Sequence, residues 1–583
     1  METTNLSKIR RERMLNTIKK IKSNITDEAI LNNLSLIENE LTKKKYGLIW
    51  EEHEERVDKE LETQIPVFEE VANKRVLKNN ETYNFLLEGD NLHSLYLLEK
   101  THKNKIDVIY IDPPYNTGKE FVYNDKIVDE LDGYSHSKWL SFMKRRLTIA
   151  HKLLTDDGII MISINESEQA QLKILMDEIF DNNNLLSVHH IQTRYSTKNV
   201  ANNGAEWLPI IEYVYIYAKN ILSFKPNLPV DEYDLTPYHF KIEEINPGKI
   251  IEINGKKVEI LKKEDYKIVD CKESNEHLLK EVWASGSLLK QKNTAAWYYD
   301  NFLLSRLGED GVDTLYKIYN MGEDGLGYRY VKSPQKLDKT RGKVYQGVPT
   351  NKKEKFENGN KASKNKPIVN YYDFSPDFGN IVNEGGVAFN SGKKPIKMLK
   401  ELINYHKNKD AVVLDFFAGS GSTAHAVLDL NNEDGGHRKF IICTNNENNI
   451  CEKVTYTRLL NVINGYGKYK GLECNLKYYK TSFVPRINND EYNLSQNLMV
   501  NIKNLIQLEN GIEIDDKIVR VILTEEEIDK FTGDEKELNE CEKLYISSDI
   551  LLTSKQSKIF NDYNIELFII PEYYFEDEIR EVA

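Results

Sequence analysis

Residues 107–118 read DVIYIDPPYNTG, and residues 412–423 read VVLDFFAGSGST. Each begins as a short apolar run that suits a buried strand and breaks at an aspartate followed by a turn. In the first the turn is made by two prolines, in the second by Gly419 and Gly421. Strand, acid and turn occurring twice point to a sheet whose strand ends carry a site.

The neighbouring segments extend that pattern in both directions. Before the first stretch lie NFLLEG at 84–89 and a helical spacing over 92–98. After it come a predicted helix over 137–154, the strand IIMISI at 159–164, a helix over 169–180 and the strand EYVYIYAK at 212–219. Around the second stretch, 395–406 and 422–430 read as helices and KFIICT at 439–444 as a strand. Strands alternating with amphipathic helices predict an α/β fold, a mostly parallel sheet with helices on its faces.

Between the two halves, from about 225 to 385, the rhythm is lost and Lys, Asn, Gly and Tyr dominate. That segment reads as an inserted domain that splits the sheet. The expected organisation is a helical region over 1–75, a first half over 76–222, the insertion over 223–385, a second half over 386–482 and a small acidic α/β unit over 483–583.

At 583 residues the chain has room for several domains and a large core. Its longest apolar runs are far too short for a membrane span. The N-terminal METTNLSKIRRERML carries basic residues without a following apolar stretch, so a secretory signal is not expected and a cytoplasmic location is. The five cysteines are scattered without a CxxC pair and the histidines do not cluster, which predicts neither a disulfide framework nor a metal site. No Walker A motif is present.

Charge is unevenly placed. Residues 501–583 hold 9 Lys and Arg against 21 Asp and Glu, nearly the whole of the chain's net −13. Residues 329–366 hold 12 Lys and Arg against 3 acids, interleaved with Tyr328, Tyr330, Tyr345 and Phe356. A solvated loop explains such a run, and so does a phosphate-backbone contact.

Asp112, Pro113, Pro114 and Tyr115 carry the clearest chemistry. Prolines remove donors, so the turn offers carbonyls and one carboxylate to the crevice beyond the strand. Such a site accepts protons. An exocyclic amine suits it, with Asp112 and the Pro113 carbonyl each accepting one N–H and Tyr115 stacking on the ring. The loop that starts at Asp415 and runs through Phe417, Gly419 and Gly421 is shorter than a dinucleotide fingerprint, which favours a nucleoside cofactor without a pyrophosphate. Glu447 after KFIICT is placed to hold ribose hydroxyls, Asp90 is a further acidic candidate, and Gly392-Lys393-Lys394-Pro395 precedes the second half. Either of the segments at Glu447 and Lys394 also suits a plain loop or helix start.

Taken together, LLEGDNLHSL, DVIYIDPPYNTGKEFVYND, DGIIMISINESE, EYVYIYAKN, FNSGKKP and LDFFAGSGSTAHAV resemble the β-group DNA amino-methyltransferases, in particular the modification (Mod) subunits of type III restriction-modification systems. YGLIWEEHEE near Tyr46 and the ending PEYYFEDEIREV resemble that family as well. The resemblance implies a circularly permuted, Rossmann-like class I methyltransferase sheet with an inserted target-recognition domain. It implies methyl transfer from S-adenosylmethionine to N6 of a flipped adenine in double-stranded DNA, without a metal. It maps Phe417, Gly419 and Gly421 to the cofactor loop, Asp90 and Glu447 to adenosine contacts, and Lys394 with Pro395 to the motif flanking the cofactor's methionine part. It further implies a homodimer joined by a restriction subunit. Asn165 stands where many relatives have Asp and receives no role. An orphan adenine enzyme, an N4-cytosine enzyme and a non-catalytic specificity subunit are the alternatives.

Overall fold

The computed structural model describes residues 6–23, 25, 27–42, 50, 53–79, 82–117, 135–195, 207–284, 292–360, 362–379, 381–389, 392–485, 491–571 and 574. Most of the GKEFVYND, YGLIWEEHEE and PEYYFEDEIREV segments lies outside these residues. The chain forms two compact units, one of residues 1–227 and 369–583, the other of 228–368.

The first unit is built on a ten-stranded sheet. Its strands, in chain order, are β1 (Gln64–Glu70), β2 (Tyr83–Glu88), β3 (Ile106–Ile111), β4 (Leu154–Ile164), β5 (Leu185–Gln192), β6 (Ile211–Ala218), β7 (Tyr371–Asp373), β8 (Val412–Asp415), β9 (Lys439–Thr444) and β10 (Asn475–Pro485). Their spatial order is β1-β10-β2-β9-β8-β3-β4-β6-β5-β7. Pairs from β10 through β4 are parallel, and β6 enters antiparallel to both β4 and β5. The later strands β8 and β9 thus lie between the earlier β2 and β3, which is the permuted arrangement.

All six residues of β2 and all six of β3 are buried, as strands covered on both faces must be. The helix Ser135–Leu153 lays Trp139, Leu140, Met143, Leu147, Ala150 and Leu153 into the core. That spacing gives one apolar helical face, as the sequence predicts. The helix Gln169–Phe180 does the same through Leu172, Leu175, Met176 and Phe180. Among the described residues no helix is long and apolar enough to cross a membrane.

Three expected boundaries are corrected. Residues 64–70, assigned to the helical region, form the edge strand β1, which pairs antiparallel with β10 and buries Ile65 to Phe68 in succession. The insertion closes at Ile368 rather than at 385, and Tyr371–Asp373 pairs with β5 in the main sheet. The C-terminal segment is not a separate unit. Its strands Val519–Ile522, Lys543–Ile546 and Glu566–Ile569 form a parallel three-stranded sheet of their own. However, the helix Glu491–Asn510 sends Leu498, Ile502, Leu505, Ile506 and Leu508 into the main core.

The second unit is an eight-stranded antiparallel sheet with a small two-stranded ribbon. Here the aromatic residues of the basic run have structural roles. Tyr330 and Tyr345 are buried in a cluster with Leu261, Tyr266, Leu279 and Leu315. Several of the cations are paired as well: Arg329 with Asp324, Lys332 with Asp313, Lys343 with Glu281 and Lys366 with Asp231. Residues 335–341 remain an exposed loop carrying Lys336, Lys339 and Arg341.

Candidate active site

Register brings the two diagnostic stretches together. Strand β8 runs parallel to β3 with Val413 opposite Val108 and Leu414 opposite Ile109, so Asp415 and Asp112 emerge at neighbouring carboxyl ends. This is the point where the strand order reverses, the crevice in which open α/β sheets bind ligands. A cleft of about 830 Å³ opens there, lined by Asp112 to Tyr115, Glu212, Lys394, Asp415 and the Phe417–Gly419 turn among others. That volume suits a ligand the size of a nucleoside derivative.

Four side chains form one polar cluster at the floor. The Tyr115 hydroxyl stands 2.7 Å from Asp112 Oδ1 and 3.1 Å from Glu212 Oε2. Lys394 Nζ donates to the Tyr115 oxygen at 2.6 Å and to Glu212 Oε2 at 2.9 Å, and it lies 3.1 Å from Asp112 Oδ1. Burial pushes the Asp112 carboxyl above its ordinary range, while the Lys394 ammonium opposes that rise. Burial also pushes the Tyr115 phenol up, reinforced by the two carboxylates. The Lys394 ammonium is raised by the same two acids against the cost of its own burial. The cluster therefore holds its cation charged and its phenol neutral.

The second proline is fixed from the side. Trp139 Nε1 donates to the Pro114 carbonyl at 2.7 Å, so that carbonyl is engaged by the protein. Asn116 adopts φ +53° and donates to Glu168, which is buried and also bonded to His136 at 2.7 Å. Asn165 Oδ1 accepts the Ser167 N–H at 3.0 Å and shapes the turn that leads to Glu168. Sequence reading left both residues without a role.

The glycine loop is held from within and from behind. Asp415 accepts the Phe417 N–H at 2.9 Å and the Thr423 hydroxyl, and burial pushes its carboxyl up to about 7. Gly419 and Gly421 have φ of +48° and +76°, the left-handed region that favours glycine. A Cβ on Gly419 would stand in open space, with the Phe417 oxygen nearest at 3.8 Å. On Gly421 it would meet Thr455 Cγ2 at 3.1 Å. Thr455 donates to the Gly419 carbonyl at 2.6 Å from a π-helical turn, Ile450–Tyr456, and buried Arg458 donates to Ser422 at 2.8 Å. Phe416 is fixed through its carbonyl, which accepts Asn91 Nδ2 at 2.9 Å, while Arg146 Nε holds Asn91 Oδ1 at 2.6 Å.

Asp90 and Glu447 also come together, but in an adjoining cleft of about 200 Å³ that shares Asn445 with the larger one. Asp90 caps the helix Asn91–His102 by accepting the Leu92 N–H at 2.8 Å. Pro395 is buried and precedes the helix Ile396–Ile403. Its neighbour Lys393 is spent on the backbone, donating to the Val382 carbonyl at 2.6 Å and the Val387 carbonyl at 2.5 Å. Lys394 is thus the lysine of the pair that reaches the floor, and its charge faces the acids.

Glu212 is the member of the cluster that sequence reading missed. The signal was an acid opening an otherwise apolar strand, EYVYIYA. Its meaning depends on β6 being antiparallel to β4, which puts the first residues of β6 beside the carboxyl end of the sheet.

The sequence pattern of the DNA methylase family matches residues 106–483. The Type III restriction-modification enzyme StyLTI Mod subunit of Salmonella typhimurium is 31% identical over 67% of this chain and 57% of its own length. The Type III restriction-modification enzyme EcoPI Mod subunit of Escherichia phage P1 is 30% identical over 72% of this chain and 66% of its own. The Type II methyltransferase M.KpnI of Klebsiella pneumoniae is 30% identical over 61% of this chain and 79% of its own. The chain thus spans less than two thirds of each of the two Mod subunits.

Proposed function

The chain belongs to the DNA methylase family, and from that premise we propose that it transfers the methyl group of S-adenosylmethionine to N6 of an adenine in double-stranded DNA, as the modification subunit of a type III restriction-modification system. The observation that carries this reading is the placement of the Asp112 carboxylate and the Phe417–Gly421 loop on adjacent strand ends of one cleft.

The cleft fits the cofactor. Gly419 leaves room that any Cβ would fill, and Phe417 offers an aromatic wall. Bound there, S-adenosylmethionine supplies an electrophilic methyl group. Phe417, Gly419 and Gly421 would hold it, Asp90 and Glu447 would receive its adenosine end through the adjoining cleft, and Asp415 keeps the loop in shape.

The chain's own residues then act on the amine. Asp112 Oδ1 accepts an N–H of the adenine, which directs the nitrogen lone pair away from ring conjugation, and the Pro113 carbonyl offers the second acceptor. The Tyr115 ring supports the base once it has left the duplex. Flipping costs a few kcal/mol, and stacking returns about 1–3 kcal/mol. Catalysis here rests on positioning and hydrogen bonding, without a covalent enzyme intermediate.

Residues 228–368 are the proposed target-recognition domain, with the loop at 335–341 as its phosphate-contacting element. Two copies joined by a restriction subunit are the proposed assembly. The test of the activity is transfer of labelled methyl from S-adenosylmethionine to DNA by the purified chain, with the product base identified by mass spectrometry. N6-methyladenine supports the reading. N4-methylcytosine, or no transfer, overturns it.

A further inference from the structure

The Tyr115 hydroxyl has one proton and two carboxylate oxygens within reach, Asp112 Oδ1 at 2.7 Å and Glu212 Oε2 at 3.1 Å. We propose that these three groups form a proton exit, in which the proton shed by the methylated amine passes from Asp112 through the Tyr115 hydroxyl to Glu212 and then to water. This rests on the amine methylation proposed above.

The balance is as follows. The nitrogen lone pair forms the new N–C bond, the C–S bond breaks with its electron pair left on sulfur, and the amine becomes one proton too rich. That proton goes to Asp112 Oδ1. Asp112 passes it to the Tyr115 oxygen, which releases its own hydrogen to Glu212 Oε2. One proton has then moved from nitrogen to Glu212, and tyrosine is unchanged.

Three features of the site favour this route. The Glu212 side chain is 26% exposed and that of Asp112 is 16% exposed, so the path leads from the less open acid to the more open one. Lys394 lies within 3.1 Å of Asp112 and within 2.9 Å of both Tyr115 and Glu212, which keeps either carboxylate tolerable as an anion while the proton sits on the other. The other polar groups nearby are committed elsewhere: Asp415 accepts from Phe417 and Thr423, and the Tyr110 hydroxyl pairs with Ser163 at 2.8 Å. Glu212 acts through Tyr115, so it is a positioning residue.

The experiment compares Glu212→Gln, Tyr115→Phe and the double variant with the unmodified chain. Phenylalanine keeps the ring that supports the base and removes only the hydroxyl. Each single change should lower kcat by about 10²-fold, within the range of a lost acid–base group, and the double variant should be no slower than the slower single. KM for DNA, the 2-aminopurine fluorescence of a flipped base and calorimetric binding of S-adenosylmethionine should stay within about twofold, since neither group is asked to bind. Glu212→Asp should recover part of the rate. Wild-type turnover in Glu212→Gln, or losses that multiply in the double variant, would overturn the exit while leaving the methylation reading intact. A fall in base retention that accounts for the lost rate would overturn it too. No transfer by the unmodified chain would overturn both.

Discussion

Lys394 Nζ lies 3.1 Å from Asp112 Oδ1, a contact between a lysine that follows the second unit and an acid that precedes it. The ammonium offsets part of the burial that raises the Asp112 carboxyl. Substituting Lys394→Met removes that help, so Asp112 stays protonated to higher pH. Because the carboxylate is the form proposed to accept from the amine, the acid limb of the kcat–pH profile should move to higher pH. A profile unchanged from wild type would show that Lys394 does not tune Asp112.

Arg146 supplies a stability prediction. It is fully buried, forks onto Glu55 at 2.9 and 3.0 Å, and holds Asn91 through Nε. Removing Arg146 takes both of these hydrogen bonds from Glu55 but leaves Arg145 3.6 Å from the same carboxylate, so the cost should fall below the roughly 3–5 kcal/mol of a fully orphaned buried charge. Arg146→Met should therefore unfold at clearly lower denaturant. Asn91→Ala should cost about 1–3 kcal/mol, since the Phe416 carbonyl loses its donor next to the cofactor loop.

The two loop glycines should fail differently. Gly421→Ala meets both a left-handed φ and Thr455 at 3.1 Å, so it should lower thermal stability and cofactor affinity together. Gly419→Asp meets no close neighbour and sends its side chain into the cleft, so it should abolish S-adenosylmethionine binding with a smaller loss of stability. Calorimetry and thermal melts on the same samples separate the two.

Exchange of residues 228–368 with those of a relative should transfer the methylated DNA sequence, and the exchange should stop at Ile368. Carrying it to 385 would replace Tyr371–Asp373, a strand of the main sheet, and Glu384, which pairs with Arg458 behind the glycine loop. Long-read sequencing of methylated bases in cells expressing the hybrid reads the outcome. The hybrid ending at 368 should be active. The acidic C-terminal segment is the surface proposed for the restriction subunit, and because deleting 501–583 would open the main core, charge reversal on Glu525, Glu526 and Glu527 is the test: copurification with the partner should be lost and methylation kept.

How much of this was legible in the sequence follows from how local each feature is. DVIYIDPPY and VVLDFFAGSG are strand and turn in one stretch, so period, proline and glycine reveal both the element and the site end. The strand at 64–70 was less legible, because its partner Asn475–Pro485 lies some four hundred positions away. Tyr330 and Tyr345 read as part of a solvated or phosphate-contacting run, because composition does not say which face of a strand is covered. Glu168 and Arg458 act only across the fold and no local pattern marks them, and the acid that opens EYVYIYA gains its meaning only once β6 is known to run antiparallel to β4.

The most direct test of the central claim is labelled-methyl transfer to DNA by Asp112→Ala beside the wild type, with S-adenosylmethionine affinity measured on the same preparations. Asp112 is proposed to accept from the amine, and the glycine loop that would hold the cofactor is kept in shape by Asp415, not by Asp112. Transfer should fall by orders of magnitude while cofactor affinity changes little. Near-wild-type transfer by Asp112→Ala would contradict the account.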